Sequence, residues 1–121
     1  MLLAIDVGNT QTVVGIYQDR SLQYRWRGAT NKSHTSDELR VKLVPLLASE
    51  GLALDEIHGV ALASVVPALT MAWCSAVHRM IGEEALVCSA ETAGALFEAD
   101  YPNPHEIGAD RVADAVAAKA L

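Results

Sequence analysis

Positive charge is scarce in this sequence. Nine lysines and arginines stand against fifteen aspartates and glutamates among 121 residues, a formal net charge of −6. That balance argues against a nucleic-acid partner, because holding a phosphate backbone requires a basic face. Cysteine is scarcer still. Cys74 and Cys88 are the two, and their spacing matches neither a metal site nor a redox pair. The reading that follows is a reduced, cytoplasmic chain. The histidines at 34, 58, 78 and 105 form no ligand pattern. No apolar run approaches the ~20 residues of a membrane span. Nor does a basic segment precede the first apolar one, so neither a membrane nor a secretory signal is expected. Two phosphate-binding signatures are also missing: Gly-x-Gly-x-x-Gly after the first strand, and Gly-x-x-x-x-Gly-Lys-Ser/Thr anywhere.

What is present suits one domain. Half the residues, 51%, are hydrophobic, and a chain of this size buries about two thirds of its unfolded surface. Leu2 to Val7 is a near-continuous apolar run, predicting a strand covered on both faces. A second strand runs from about Thr12 to Tyr17, and Asp19-Arg20-Ser21 turns the chain. Leu22, Tyr24 and Trp26 then alternate with Gln23, Arg25 and Arg27, as in a strand with one wet face. Arg20, Arg25 and Arg27 read as a solvated face rather than a substrate patch. Thr35-Ser-Asp-Glu38 is a capping box opening a helix that buries Leu39, Leu43, Leu46 and Leu47. Pro45 predicts a kink or early break in it. Val60 to Val65 is a further buried strand, and Pro67 opens a second helix carrying Leu69, Trp73, Ala76, Val77 and Met80, with Gly82 at its end. Ser64 at the strand end reads as a hydroxyl serving local backbone. Ala85 to Cys88 and Ala95 to Glu98 are short strand candidates, and a last helix begins near Ala109. Three strands followed by alternating helices and strands predict a mixed sheet with helices on its faces.

The chemistry concentrates at two places. The first is Asp6-Val-Gly8-Asn9-Thr10-Gln11-Thr12, where a strand delivers one carboxylate to its end and the chain turns back. Gly8 and Asn9 tolerate the positive φ of two-residue hairpin turns. Such a turn would offer N–H groups and the Thr10 and Thr12 hydroxyls beside a fixed carboxylate, parts suited to phosphates and a divalent cation. Plain hairpin chemistry, with Asp6 merely ending a strand, accounts for the same residues. The second is Tyr101-Pro-Asn-Pro-His-Glu-Ile-Gly108-Ala109-Asp110-Arg111, a proline-broken loop running into a helix start. Asp110 in a first helical turn is explained by the helix dipole alone, worth under ~1 kcal/mol.

Taken with Ala63-Ser64-Val65-Val66-Pro67 between them, the two segments resemble the type III pantothenate kinases, a family that includes the Bvg accessory factors. The resemblance spans essentially the whole chain. It implies a ribonuclease-H-like fold of the actin/Hsp70/sugar-kinase superfamily, and ATP-dependent phosphorylation of pantothenate to 4'-phosphopantothenate, the first step towards coenzyme A. By the same resemblance Asp6, Gly8, Asn9, Thr10, Gln11 and Thr12 would hold ATP phosphates, with Asp6 on the Mg2+ side. Tyr101, Gly108, Ala109, Asp110 and Arg111 would hold pantothenate, with Asp110 as general base. Gln11 stands where the family often has asparagine, and Pro102 where an aspartate is common. The family further implies a homodimer and a monovalent cation, K+ or NH4+, at a site outside this chain. Residues 1–121 are expected to form the N-terminal domain alone, the family's second domain being absent and the isolated chain inactive. The final apolar stripe of Val112, Val116, Ala120 and Leu121 is expected to drive self-association. A non-catalytic regulator that kept the nucleotide-binding fold is the alternative.

Overall fold

The computed structural model describes residues 1–19 and 21–87. The candidate strand at 95–98, the last helix and the Tyr101–Arg111 segment lie outside them. Among the described residues five strands form one sheet: β1 (Leu2–Val7), β2 (Gln11–Gln18), β3 (Ser21–Ala29), β4 (Gly59–Ser64) and β5 (Ala85–Val87), in the order β3-β2-β1-β4-β5. β3, β2 and β1 pair antiparallel, while β1, β4 and β5 run parallel. Parallel neighbours need crossover connections. Helices α1 (Ser36–Ser49), after β3, and α2 (Pro67–Ile81), between β4 and β5, occupy the connections leading to β4 and β5. This is the mixed sheet with flanking helices that the sequence predicts.

Strand alternation sorts the core. Leu3, Ile5 and Val7 pair with Ile16, Val14 and Thr12 on one side and with Val60, Leu62 and Ser64 on the other. That face packs on Leu39, Leu43 and Leu47 of α1 and Leu69, Trp73, Ala76 and Val77 of α2 in one cluster. Each fully buried leucine contributes roughly 1.5–3 kcal/mol. Leu2, Ala4, Tyr17, Ala61 and Ala63, on the opposite face, are buried too, as the unbroken apolar run of β1 required. Tyr24 and Trp26 stack at 6.0 Å on half-buried β3.

Local signals explain the helix ends. Thr35 accepts from the Glu38 N–H at 3.2 Å, and Glu38 accepts from the Thr35 N–H at 3.0 Å, closing the capping box. Those bonds hold the Glu38 carboxyl below its ordinary value. Gly82 ends α2 at φ 80°, its N–H bonded to the His78 carbonyl. The expected early break at Pro45 does not occur, and α1 runs on to Ser49. Pro45 and Val41 lie on the exposed side of the helix, where the freed Val41 carbonyl can meet water and the buried Leu43 and Leu47 hold the turn together. Leu46 is only half-buried. The strand expected at Val60–Val65 is shifted by one residue at each end, to Gly59–Ser64. A short 3-10 turn, Leu54–Glu56, had no sequence signal.

Candidate phosphate-binding site

β1 is the strand at which the sheet changes from antiparallel to parallel. The strand order also reverses there, running outward from β1 to β2 and β3 on one side and to β4 and β5 on the other. The C-terminal ends of strands at such a reversal are where open α/β sheets bind ligands. Asp6 is there, opposite Val13 of β2 and Ala63 of β4, on the face turned away from α1 and α2. It is partly buried and has no hydrogen-bond or ion-pair partner among the described residues. Desolvation accordingly pushes its carboxyl above the ordinary value of 3.8.

The turn beside it is built differently from the expectation. Neither Gly8 nor Asn9 adopts positive φ. The connection is three residues long, Gly8–Thr10, so the left-handed geometry of a two-residue hairpin is not needed. Glycine is required for another reason. The Gly8 N–H donates to the Gln11 carbonyl at 2.9 Å, and a Cβ on Gly8 would meet that same oxygen at 3.0 Å. Gly8→Ala should therefore shift the turn and lower stability by about 1–2 kcal/mol. Denaturant unfolding checks this, and an unchanged midpoint would show that the turn relaxes freely.

Two neighbours clamp the turn. The Thr30 N–H donates to the Thr10 carbonyl at 2.9 Å, and the Val65 N–H donates to the Val7 carbonyl at 3.0 Å. The Thr12 and Thr30 hydroxyls lie 2.8 Å apart. The N–H groups of Asn9 and Thr10 have no acceptor among the described residues, and both residues are exposed. Asp6, Gly8, Asn9 and Thr10 thus gather at one end of the sheet, with exposed Gln11 opening β2. Thr12, opposite Val7, faces the helices rather than the Asp6 side. Tyr101, Gly108, Ala109, Asp110 and Arg111 lie outside the described residues. Thr30 carries a role that sequence reasoning missed. The resemblance put a polar residue at this position but gave no sign of a clamp, because its partner is eighteen residues away. Ser64 behaves as expected, its hydroxyl serving the N–H and carbonyl of Val66.

The arrangement can present N–H donors to anionic oxygens and one carboxylate to a cation. Among the described residues no three acidic, histidine or cysteine side chains converge as a metal cage. A hard cation such as Mg2+ fits Asp6 as a single oxygen ligand, or through water, with phosphate oxygens supplying most of the shell. Among the described residues, no helix is long and apolar enough to cross a membrane.

A family profile described as type III pantothenate kinase matches residues 2–121. A type III pantothenate kinase of Syntrophotalea carbinolica is 42% identical over 120 residues, covering 98% of this chain and 46% of the relative. One from Moorella thermoacetica is 42% identical over 117 residues, covering 97% and 46%. The chain spans about half the length of the curated relatives it matches. Two solved structures share the fold. A candidate N-acetylglucosamine kinase from Porphyromonas gingivalis matches with a TM-score of 0.59 at 20% identity, covering 81% of this chain and 38% of that one. A candidate N-acetylmannosamine kinase from Listeria monocytogenes matches at 0.51 and 13%, covering 82% and 38%. The chain shares its fold with these two sugar kinases, and it belongs to the type III pantothenate kinase family.

Proposed function

We propose that this chain supplies the phosphate-binding half of an enzyme that transfers the γ-phosphoryl group of ATP to the primary hydroxyl of pantothenate. The products are 4'-phosphopantothenate and ADP, which opens the route to coenzyme A. The observation that carries this reading is an unpaired, half-buried carboxylate beside a turn with two open N–H groups, in a chain of this family.

Phosphoryl transfer is mostly a matter of positioning and charge stabilisation. The Asn9 and Thr10 N–H groups would hold phosphate oxygens, with Gln11 at the rim of the turn. Thr30 and Val65 keep that turn in place through the Thr10 and Val7 carbonyls. Thr12 acts at one remove, steadying Thr30. Asp6 would hold Mg2+ directly or through water, and the bound ion would neutralise charge developing on the β- and γ-phosphates. Asp110 would orient the pantothenate hydroxyl and accept its proton as the new P–O bond forms and the bond to the ADP oxygen breaks. Tyr101, Gly108, Ala109 and Arg111 would hold the pantothenate around it. An ordinary aspartate lies about three units below neutral pH, so its proton transfer comes late, and positioning is the larger share of its effect. We read the whole protein as a cytoplasmic homodimer whose monovalent cation, K+ or NH4+, binds outside this chain.

A coupled assay for ADP tests the proposal. The full-length protein carrying this chain is expected to form ADP only when pantothenate is present. Residues 1–121 alone are expected to turn over negligibly, since one domain leaves the nucleotide open to water. ATP hydrolysis indifferent to pantothenate, or no nucleotide binding by the folded full-length protein, would refute the reading. Nucleotide binding without any turnover would favour the non-catalytic regulator.

A further inference from the structure

On the helix-covered face, away from Asp6, a cavity of about 370 Å³ lies between β3, α1 and α2. Its walls are apolar: Trp26 from the sheet, Leu39, Leu43 and Leu46 from α1, and Trp73 from α2. Its polar groups are Thr12, Asn31, His34 and Lys42. Arg25 and Arg27 also border it, but their pairing with Gly15 and Val13 turns their side chains to the other face, so they contribute strand main chain. None of the fifteen bordering residues is acidic, although acids outnumber bases in the chain by fifteen to nine. Lys42 makes no ion pair among the described residues. Glu38, outside the cavity wall, accepts from the Thr35 N–H and also interacts electrostatically with His34 and Lys42.

We propose that this cavity binds a small amphipathic anion, its apolar body between Trp26 and Trp73 and its charged end at Lys42, Asn31 and His34. Size and lining match those of small-molecule sites, which pair an apolar wall with a few placed polar groups. Charge selects the class. A carboxylate gains a charge-assisted contact with the lysine that a neutral ligand of equal length lacks, and no bordering acid repels it. The cavity opens on the face away from Asp6 and shares only Thr12 with the supports of the phosphate turn, and its test reads carboxylate binding rather than turnover.

Gly28 supplies the test. It pairs with Thr12, borders the cavity, and a Cβ there meets nothing within 4 Å. Gly28→Val therefore fills space without strain and favours the strand. Octanoate, titrated calorimetrically into the full-length protein, is expected to occupy one saturable site about tenfold more tightly than octanol. Lys42→Gln should erase that preference by weakening octanoate alone. Gly28→Val should abolish both while leaving the Tm no lower than wild type. Lack of a saturable site in the full-length protein would overturn the proposal. Equal affinity for octanoate and octanol in wild type, or octanoate binding untouched by a folded Gly28→Val, would overturn it as well. Should Gly28→Val fail to fold, the Lys42→Gln comparison decides.

Discussion

Asp6→Asn should lower kcat/KM for Mg-ATP in the full-length protein by on the order of 100-fold or more, about 2.7 kcal/mol, while raising its Tm at neutral pH. The two effects share one cause. Asp6 sits at the end of a central strand with no donor among the described residues, and burial holds its carboxyl above 3.8. The folded state therefore binds this proton more tightly than the unfolded chain does. Ionised Asp6 penalises the fold at neutral pH, and the penalty fades as pH falls through the raised folded value and vanishes below the unfolded one. Asparagine has no charge to desolvate, so its Tm advantage should shrink as pH is lowered from 7 towards 4. Mg-ATP should close the gap from the other side, stabilising wild type by mass action and the mutant much less. Thermal unfolding with and without Mg-ATP, across that pH range, reads all of this. A folded mutant with unchanged Mg-ATP affinity and unchanged turnover would reduce the Gly8 turn to a hairpin.

Asp110→Asn should be as damaging to turnover and nearly silent in nucleotide binding. Asparagine keeps the shape and can still contact the pantothenate hydroxyl, but it cannot take the proton. The expected loss in kcat is 100- to 10,000-fold, the usual contribution of a positioned acid or base. Mg-ATP affinity should stay within a few-fold of wild type, since the proposed phosphate contacts come from residues 6–12. The split matters: loss of kcat with intact Mg-ATP binding separates a base from a residue that merely caps a helix. Near wild-type turnover at saturating substrates would remove Asp110 from the mechanism.

The two aspartates also mark how far the sequence could be read. Asp6 was singled out from local pattern, an apolar run ending in a carboxylate and then Gly-Asn-Thr, which plain hairpin chemistry explained equally well until the resemblance to the family was added. The reason for Gly8 was misread. Local rules offered positive φ, whereas the glycine is needed because the Gln11 carbonyl passes 3.0 Å from where a Cβ would stand. A close approach between backbones is invisible until the strands are paired. The effect of Pro45 was likewise misjudged, because its tolerance depends on which side of α1 faces water.

The resemblance of three motifs supplied the family and the candidate carboxylates. Among the described residues, local pattern determined the order and type of the strands and α-helices, the capping of α1 and α2, and the apolar face of each. Each of these follows from neighbouring residues, whose periodicity and turn chemistry act over a few positions. Tertiary structure decided the rest. It put β1 between β2 and β4, in a register that turns Asp6 to one face and Thr12 to the other. It brought Thr30 against Thr10 and Thr12, and it left an apolar cavity with a lysine at its edge beneath the helices. Those features depend on strand register and on packing between residues far apart in the chain. A single-residue slip in pairing would exchange the faces of every side chain involved.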